Sequence, residues 1–290
     1  MRQVSIIIVS YNTRLLLADC IESIMEHTVD IDFEIIVVDN NSADGSKEYV
    51  RGIYPNVIWI DSGNNIGFGR ANNLGAQYAQ GEYLLFLNSD TLLKNNALQY
   101  FIKYMHVLGS DKVGILGSWL YDKVGHINLS YGDFPTPSSE MKYIFGKITN
   151  RKASDDTTVI RTVDWVSGAD MFIKRSLFED MGGFDPNIFM YYEETDLQYR
   201  LSESGYGRYI IPGPEIIHLE GGSSDGKKLT YRKFLISQHS YNYYIRKHFQ
   251  GIRYVAYRLF LCLYRLSIFI TTDWSMQEKL KAYGTVLSGK

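Results

Sequence analysis

The chain is poor in cysteine and proline and has no surplus of either charge. Its 290 residues include two Cys and six Pro. Cys20 and Cys262 cannot build a thiolate metal cluster or a disulfide framework, and they fit a reducing compartment. The 30 Lys and Arg face 32 Asp and Glu, a formal charge of −2, so whole-chain charge makes no case for a nucleic-acid partner. Long apolar runs are missing too. Val4 to Val9 is too short for a signal peptide. Tyr254 to Thr272, the best candidate span, is broken by Arg258 and Arg265, whereas spanning takes about 20 mostly apolar residues. The first turn, Ser10-Tyr11-Asn12-Thr13, has none of the glycines of a dinucleotide fingerprint, and no Walker motif follows. What remains is an ordinary globular composition, 45% hydrophobic and 21% charged, enough for one large domain or one domain with an added segment.

Val4 to Val9 is a β-branched run, the pattern of a strand buried on both faces. Leu15 to His27 reads as a helix with Leu17, Ile21, Ile24 and Met25 on one side. Glu34 to Val38, Val57 to Ile60 and Tyr83 to Leu87 are further strands. Ser42 to Tyr49 is a turn and short helix, and Ala71 to Ala79 a second helical connection. Alternation through the first 90 residues or so predicts an α/β fold with a mostly parallel central sheet flanked by helices. The rhythm then changes. Gly125 to Thr158 is polar, interrupted by Pro135 and Pro137, and reads as a long excursion. Val163 to Val166 and Met171 to Ile173 are strand-like, and Glu193 to Ser204 is a helix. Tyr209 to Ile211 and Glu215 to Ile217 are short strands around Pro212-Gly213-Pro214. From Thr230 the tail is helical.

In a doubly wound sheet, ligands bind outside the carboxyl ends of the strands. Polar clusters stand there in this sequence: Ser10-Tyr11-Asn12, Asp39-Asn40-Asn41-Ser42, the Gly63 to Arg70 loop, and Asn88-Ser89-Asp90-Thr91. One such cluster is ordinary turn chemistry. Four on one edge point to a nucleotide site.

Five segments carry a family resemblance: Val9-Ser10-Tyr11-Asn12, Val38 to Ser42, Asn65-Ile66-Gly67-Phe68, Phe86 to Asp90, and Tyr192 to Leu197. In this order and spacing they resemble the inverting family 2 glycosyltransferases of the GT-A fold, rhamnosyltransferase-like members above all, over roughly residues 3 to 220. The resemblance implies a nucleotide-sugar half at 1–115, an acceptor-binding and catalytic half at 116–225, and leaves 226–290 as a tail. It places Ser10, Tyr11, Asn12, Asp39, Asn64, Arg70, Asn88 and Ser89 at the nucleotide, with Asp39 accepting the N3–H of a uracil or thymine ring. Asn88-Ser89-Asp90 matches the family's DxD turn with its first acid replaced. Asp90 and His218 are then the ligands expected for a divalent ion, Mg²⁺ or Mn²⁺. Glu194 falls on the catalytic base, where the family usually has Asp. Trp165, Asp170 and Glu193 fall on the acceptor side.

The implied reaction moves a sugar from a UDP- or dTDP-linked donor to a glycan or lipid-linked saccharide in surface polysaccharide synthesis, in the cytoplasm or at the inner face of its membrane. Two rivals stay open. A sugar nucleotidyltransferase shares the sheet but wants a Gly-rich basic loop after the first strand. A non-catalytic sugar- or membrane-binding module would keep the fold and lose turnover.

The tail differs in charge. Gly226 to Lys290 holds 12 Lys or Arg against Asp273 and Glu278, and eight of the 23 tyrosines. An amphipathic basic helix with aromatics suits an anionic membrane surface. It equally suits packing on the body with Arg stems covering apolar surface. Nothing in the sequence fixes an oligomeric state.

Overall fold

The computed structural model describes residues 2–141, 156–219 and 230–289. Thus residues 142–155 of the expected excursion, and Glu220 to Ser223 beyond His218, lie outside the described residues.

Strand β1 (Val4–Ser10) lies between β2 (Phe33–Asp39) and β4 (Tyr83–Asn88), parallel to both, with β3 (Ile58–Asp61) parallel to β2 beyond. A strand flanked on both edges and covered on both faces must be apolar throughout, which is why Val4, Ile6, Ile7 and Ile8 are all fully buried. Helix α1 (Arg14–His27) returns the chain from β1 to β2, burying Leu17, Cys20, Ile21 and Ile24. Met25, expected on that face, is 43% exposed. Burial also pushes the Cys20 thiol up to about 12, so it is an unreactive core group. Helices α2 (Ser46–Ile53) and α3 (Phe68–Ala76) make the next two connections. Helix α3 starts at Phe68, three residues before the apolar pattern suggests.

Beyond β4 the sheet departs from parallel pairing. A short β5 (Thr91–Leu93), helix α4 (Ala97–Leu108) and the buried β6 (Val113–Tyr121) follow. Strand β10 (Asp170–Lys174) inserts antiparallel between β4 and β6, and β11 (Gly207–His218) runs parallel to β6. The order is β3-β2-β1-β4-β10-β6-β11-β5. Side β-pairs are short. β8 (Arg161–Thr162) joins β11, and β7 (Tyr131–Gly132), within the excursion, pairs with β9 (Trp165–Val166). The stretch Val163 to Val166 is therefore not one strand. Conversely, the two strands expected around Pro212-Gly213-Pro214 are one strand with a register shift between Ile211 and Ile216, where proline removes ladder donors. Helix α5 (Arg175–Asp180) follows β10, and α6 (Glu193–Glu203) precedes β11.

The tail forms α7 (Tyr231–His248), α8 (Gly251–Arg265), α9 (Ile268–Thr271) and α10 (Met276–Ser288). These helices share a core of their own, made by Phe234, Tyr241, Tyr244, Tyr257, Leu261 and Val286. The tail tyrosines thus serve first as packing.

Candidate active site

Parallel register aligns the strand ends. Ser10 stands beside Asp39, Val9 beside Asn88, and Asp39 beside Asp61. The polar clusters after β1, β2 and β4 are therefore neighbours on one sheet edge. Side-chain bonds tie them together. Ser10 Oγ lies 3.0 Å from Thr13 Oγ1, which donates to Ser89 Oγ at 3.1 Å. Asn12, in a left-handed conformation, accepts from the Ala43 N–H at 2.8 Å. Tyr11 is 46% exposed above this edge. Asp39 is buried, and its two oxygens accept from the Ser42 N–H at 3.2 and 3.3 Å.

Asn40 braces the neighbouring loop. Its Nδ2 donates to the Gly67 carbonyl at 3.2 Å, and its Oδ1 accepts from the Ile66 N–H at 3.4 Å. Gly67 has φ +87°, and the following Phe68 N–H donates to the Phe189 carbonyl at 3.0 Å. A Cβ on Gly67 would stand 2.1 Å from that carbonyl oxygen. Gly67→Ala should therefore cost about 1–3 kcal/mol in backbone strain alone, with the clash in addition. A urea midpoint equal to wild type would contradict this contact. Asn64 and Arg70 are both exposed on this loop and helix. Arg70 Nε donates to the Pro186 carbonyl, a second link from α3 to the segment before α6.

Antiparallel pairing of β11 with β5 brings His218 opposite Thr91. His218 Nε2 lies 3.3 Å from Asp90 Oδ1 and 3.4 Å from Asn88 Nδ2. Two expected ligands more than 120 residues apart in sequence thus meet at one point. Among the described residues no third His, Cys, Asp or Glu joins them. Two protein donors fit Mg²⁺ or Mn²⁺, since such ions keep waters and share the oxygens of a bound diphosphate.

Asp170 is fully buried. Its Oδ2 accepts from the Ser118 N–H and Oγ at 2.7 and 2.6 Å, while Oδ1 has no hydrogen-bond partner. Burial, only partly offset by the Ser118 bonds, raises its pKa to about 7. Its neighbour Ala169 accepts from the Asn88 N–H at 3.0 Å, so this segment supports the Asn88-Ser89-Asp90 turn from below. Trp165 donates through Nε1 to the Asp133 carbonyl at 2.8 Å and covers Gly132.

Glu193 and Glu194 open α6 after two consecutive left-handed residues, Tyr191 (φ 68°) and Tyr192 (φ 70°). Non-glycine residues in that region are strained, and two in succession need support from their surroundings. Ser240 of α7 donates to the Met190 carbonyl at 2.8 Å, and the Tyr192 ring packs 4.9 Å from Tyr241. Glu193 is buried beside Gly69, and Glu194 lies against Gly168, next to Ala169 and opposite Phe68. Each glutamate has an Oε2 that is out of solvent and without a hydrogen-bond partner. Burial raises both carboxyls, and the Glu194 charge raises Glu193 further, well above the usual range. Backbone N–H groups at the start of the helix, including that of Thr195 for Glu194, offset burial only in part, and two adjacent raised carboxyls that each keep one unpartnered oxygen are groups suited to exchange a proton.

Asp196, one turn on, is committed structurally. It accepts from Arg200 at 2.9 Å and from Lys247 and His248 at 2.7 Å each. The i, i+4 pair with Arg200 is readable in sequence; the α7 partners are not. A hollow of about 230 Å³ lies beside this clamp, lined by Gly182, Gly183, Asp185, Pro186, Arg200 and Lys247. It contains none of the strand-end residues and holds none of the proposed chemistry.

Comparison with known proteins gives the family and the fold. Residues 5–162 match the family model described as glycosyl transferase family 2. The chain is 31% identical over 227 residues to the rhamnosyltransferase WbbL of Escherichia coli K12, covering 74% of this chain and 83% of that one. It is 26% identical over 211 residues to an N-acetylglucosaminyl-diphospho-decaprenol L-rhamnosyltransferase of Mycobacterium tuberculosis, covering 66% and 67%. Among solved structures, a mannosyltransferase from Pyrobaculum calidifontis, in complex with GDP-Man and Mn²⁺, superposes with a TM-score of 0.57 at 16% identity, covering 99% of this chain and 74% of that one. GalNAc-T7 with UDP, GalNAc and Mn²⁺ gives 0.63 at 16% identity, covering 98% and 55%. The chain belongs to glycosyl transferase family 2 and is a glycosyltransferase built on the GT-A fold.

Proposed function

We propose that this enzyme transfers a sugar, with inversion, from a UDP- or dTDP-sugar to a saccharide acceptor during bacterial surface polysaccharide synthesis, the acceptor being lipid-linked. The observation that carries the mechanism is the pair of unpartnered carboxylate oxygens at the start of α6. Glu194 is the base. It takes the proton of the acceptor hydroxyl while that oxygen bonds to the anomeric carbon, and the bond from that carbon to the diphosphate breaks on the opposite face. One base and one displacement invert the anomeric centre, unlike glycosidases, which need two carboxyl groups. Glu193, buried behind it, and Trp165 shape the acceptor side. Asp170 supports the Asn88 turn through Ala169 and holds Ser118. The name of the Mycobacterium tuberculosis relative, an N-acetylglucosaminyl-diphospho-decaprenol L-rhamnosyltransferase, supports a lipid-linked acceptor.

On the donor side Ser10, Tyr11, Asn12, Asn64, Arg70, Asn88 and Ser89 line the nucleotide edge, with Asp39 at the base. Asp90 and His218 would hold Mg²⁺ or Mn²⁺. Such an ion offsets charge developing on the leaving diphosphate. Residues 1–115 and 116–225 then divide as donor and acceptor halves of one sheet.

Base selectivity tests this reading. UDP or dTDP should raise the melting temperature more than GDP, ADP or CMP, and more with Mn²⁺ than without. At 100 times its dissociation constant a ligand adds about 2.7 kcal/mol. Equal shifts with the purine nucleotides would remove Asp39 from base recognition.

A further inference from the structure

We propose that the outer face of α8 and α9 is a docking surface that lies in the plane of an anionic lipid leaflet. Six large apolar side chains stand on it: Ile252, Val255, Leu259, Leu263, Leu266 and Ile270. Steps of three and four residues put them on one helical stripe, about 30 Å long at 1.5 Å per residue. The stripe is open. Ile252 is 80% exposed, Leu263 70% and Ile270 88%. The opposite side of the same helices, Tyr257, Leu261 and Ile268, is buried in the tail core. A helix apolar on both sides with only one side covered leaves a surface that water does not favour, and this stripe is far more continuous than scattered exposed leucines.

Charge selects the occupant. The body upstream of Gly226 carries an acidic excess, while the tail carries 12 Lys or Arg against two acids. Arg246, Arg253 and Lys281 are exposed on it. An exposed apolar stripe on a tail with this basic excess complements a leaflet of anionic headgroups over acyl chains.

The bonds of the inner face decide between lying on the membrane and crossing it. Residues 251–271 are apolar enough to cross, with a best mean hydropathy of 1.3. Crossing would strip Arg258 from Asn242, to which it donates at 3.0 Å, and from the carbonyls of Val286 and Leu287. It would also break the 2.6 Å bond between the Tyr257 and Tyr241 hydroxyls. A helix in the interface keeps all of these.

The test is vesicle sedimentation of the full chain. We expect the protein to pellet with vesicles containing phosphatidylglycerol, to bind pure phosphatidylcholine at least about tenfold more weakly, and to lose affinity as salt rises. The double variant Leu259→Glu, Leu263→Glu should bind anionic vesicles about tenfold or more weakly, with an unchanged thermal melt, since both side chains are exposed. Wild-type protein that ignores anionic vesicles, or a folded double variant that binds as wild type does, would overturn the proposal. So would a dimer in lipid-free solution that the double variant dissolves, which would assign the face to a second copy. Membrane-bound protein resistant to alkaline carbonate would assign it to a span. None of these outcomes depends on donor binding or transfer.

Discussion

Glu194→Gln should lower sugar transfer by about 10²–10⁴-fold, the usual worth of a general base, while leaving nucleotide-induced stabilisation intact. The substitution keeps the size of the side chain and removes the lone pair that takes the proton. Donor binding should survive because the residues proposed to hold the donor stand at the ends of β1, β2 and β4. Glu193, one position earlier, points about 100° away on the helix and faces Gly69 rather than Gly168. It cannot take over the same hydroxyl. The pH profile gives a second readout. Burial holds the Glu194 carboxyl above its ordinary value of 4.5, so the base is lost on acidification earlier than an exposed glutamate would be. The acid limb of transfer should lie above pH 4.5 and vanish in the variant. Near-normal transfer by Glu194→Gln, with loss in Glu193→Gln, would move the base to Glu193.

Asp196→Ala should destabilise the protein by about 3–5 kcal/mol, the cost of breaking a buried ion pair from one side. Asp196 is fully buried and takes bonds from Arg200, Lys247 and His248. Burial by itself would raise its pKa. The His248 and Lys247 bonds and the Arg200 charge outweigh burial and hold it below the usual carboxylate value. A depressed carboxylate contributes stability above its unfolded pKa and loses it as pH falls through the folded one, so the wild-type clamp should fail only in acid. Asp185, held down to about 2 with Lys247 2.6 Å away, follows the same sign. Removing Asp196 unties α7 from α6, and α7 also braces Met190 and Tyr192 just before the glutamates. The variant should therefore lose transfer as well as stability. An unchanged urea midpoint would show that the clamp contributes little.

How much of this was legible in sequence depended on whether the signal was local. β1, β2 and β4 announced themselves because a strand buried on both faces must be an unbroken apolar run, and Ile6, Ile7 and Ile8 leave no other reading. The strand-end clusters followed from parallel topology, which puts Ser10, Asp39 and Asn88 on one edge. The direction of β10 was not legible, because Asp170 to Lys174 has the same pattern whether it runs parallel or antiparallel to β4. The meeting of His218 with Asp90 needed the antiparallel pairing of β11 with β5, a contact across more than 120 residues that no local spacing encodes. The left-handed pair Tyr191-Tyr192 was hidden for another reason. Tyrosine is not a residue that favours positive φ, and only packing from α7 holds it there. The tail's aromatic residues were equally compatible with membrane and core. Tyr241, Tyr244 and Tyr257 turned out to build the core, whereas the exposed apolar stripe is aliphatic.

The proposed reaction is a single displacement with one base. Its most direct test is the anomeric configuration of the first product, read by proton NMR from a donor of known configuration and any acceptor found active in a radiolabel screen. An α-linked UDP- or dTDP-sugar should give a β-linked product, and a β-linked donor an α-linked one. A product that keeps the donor's configuration would contradict it.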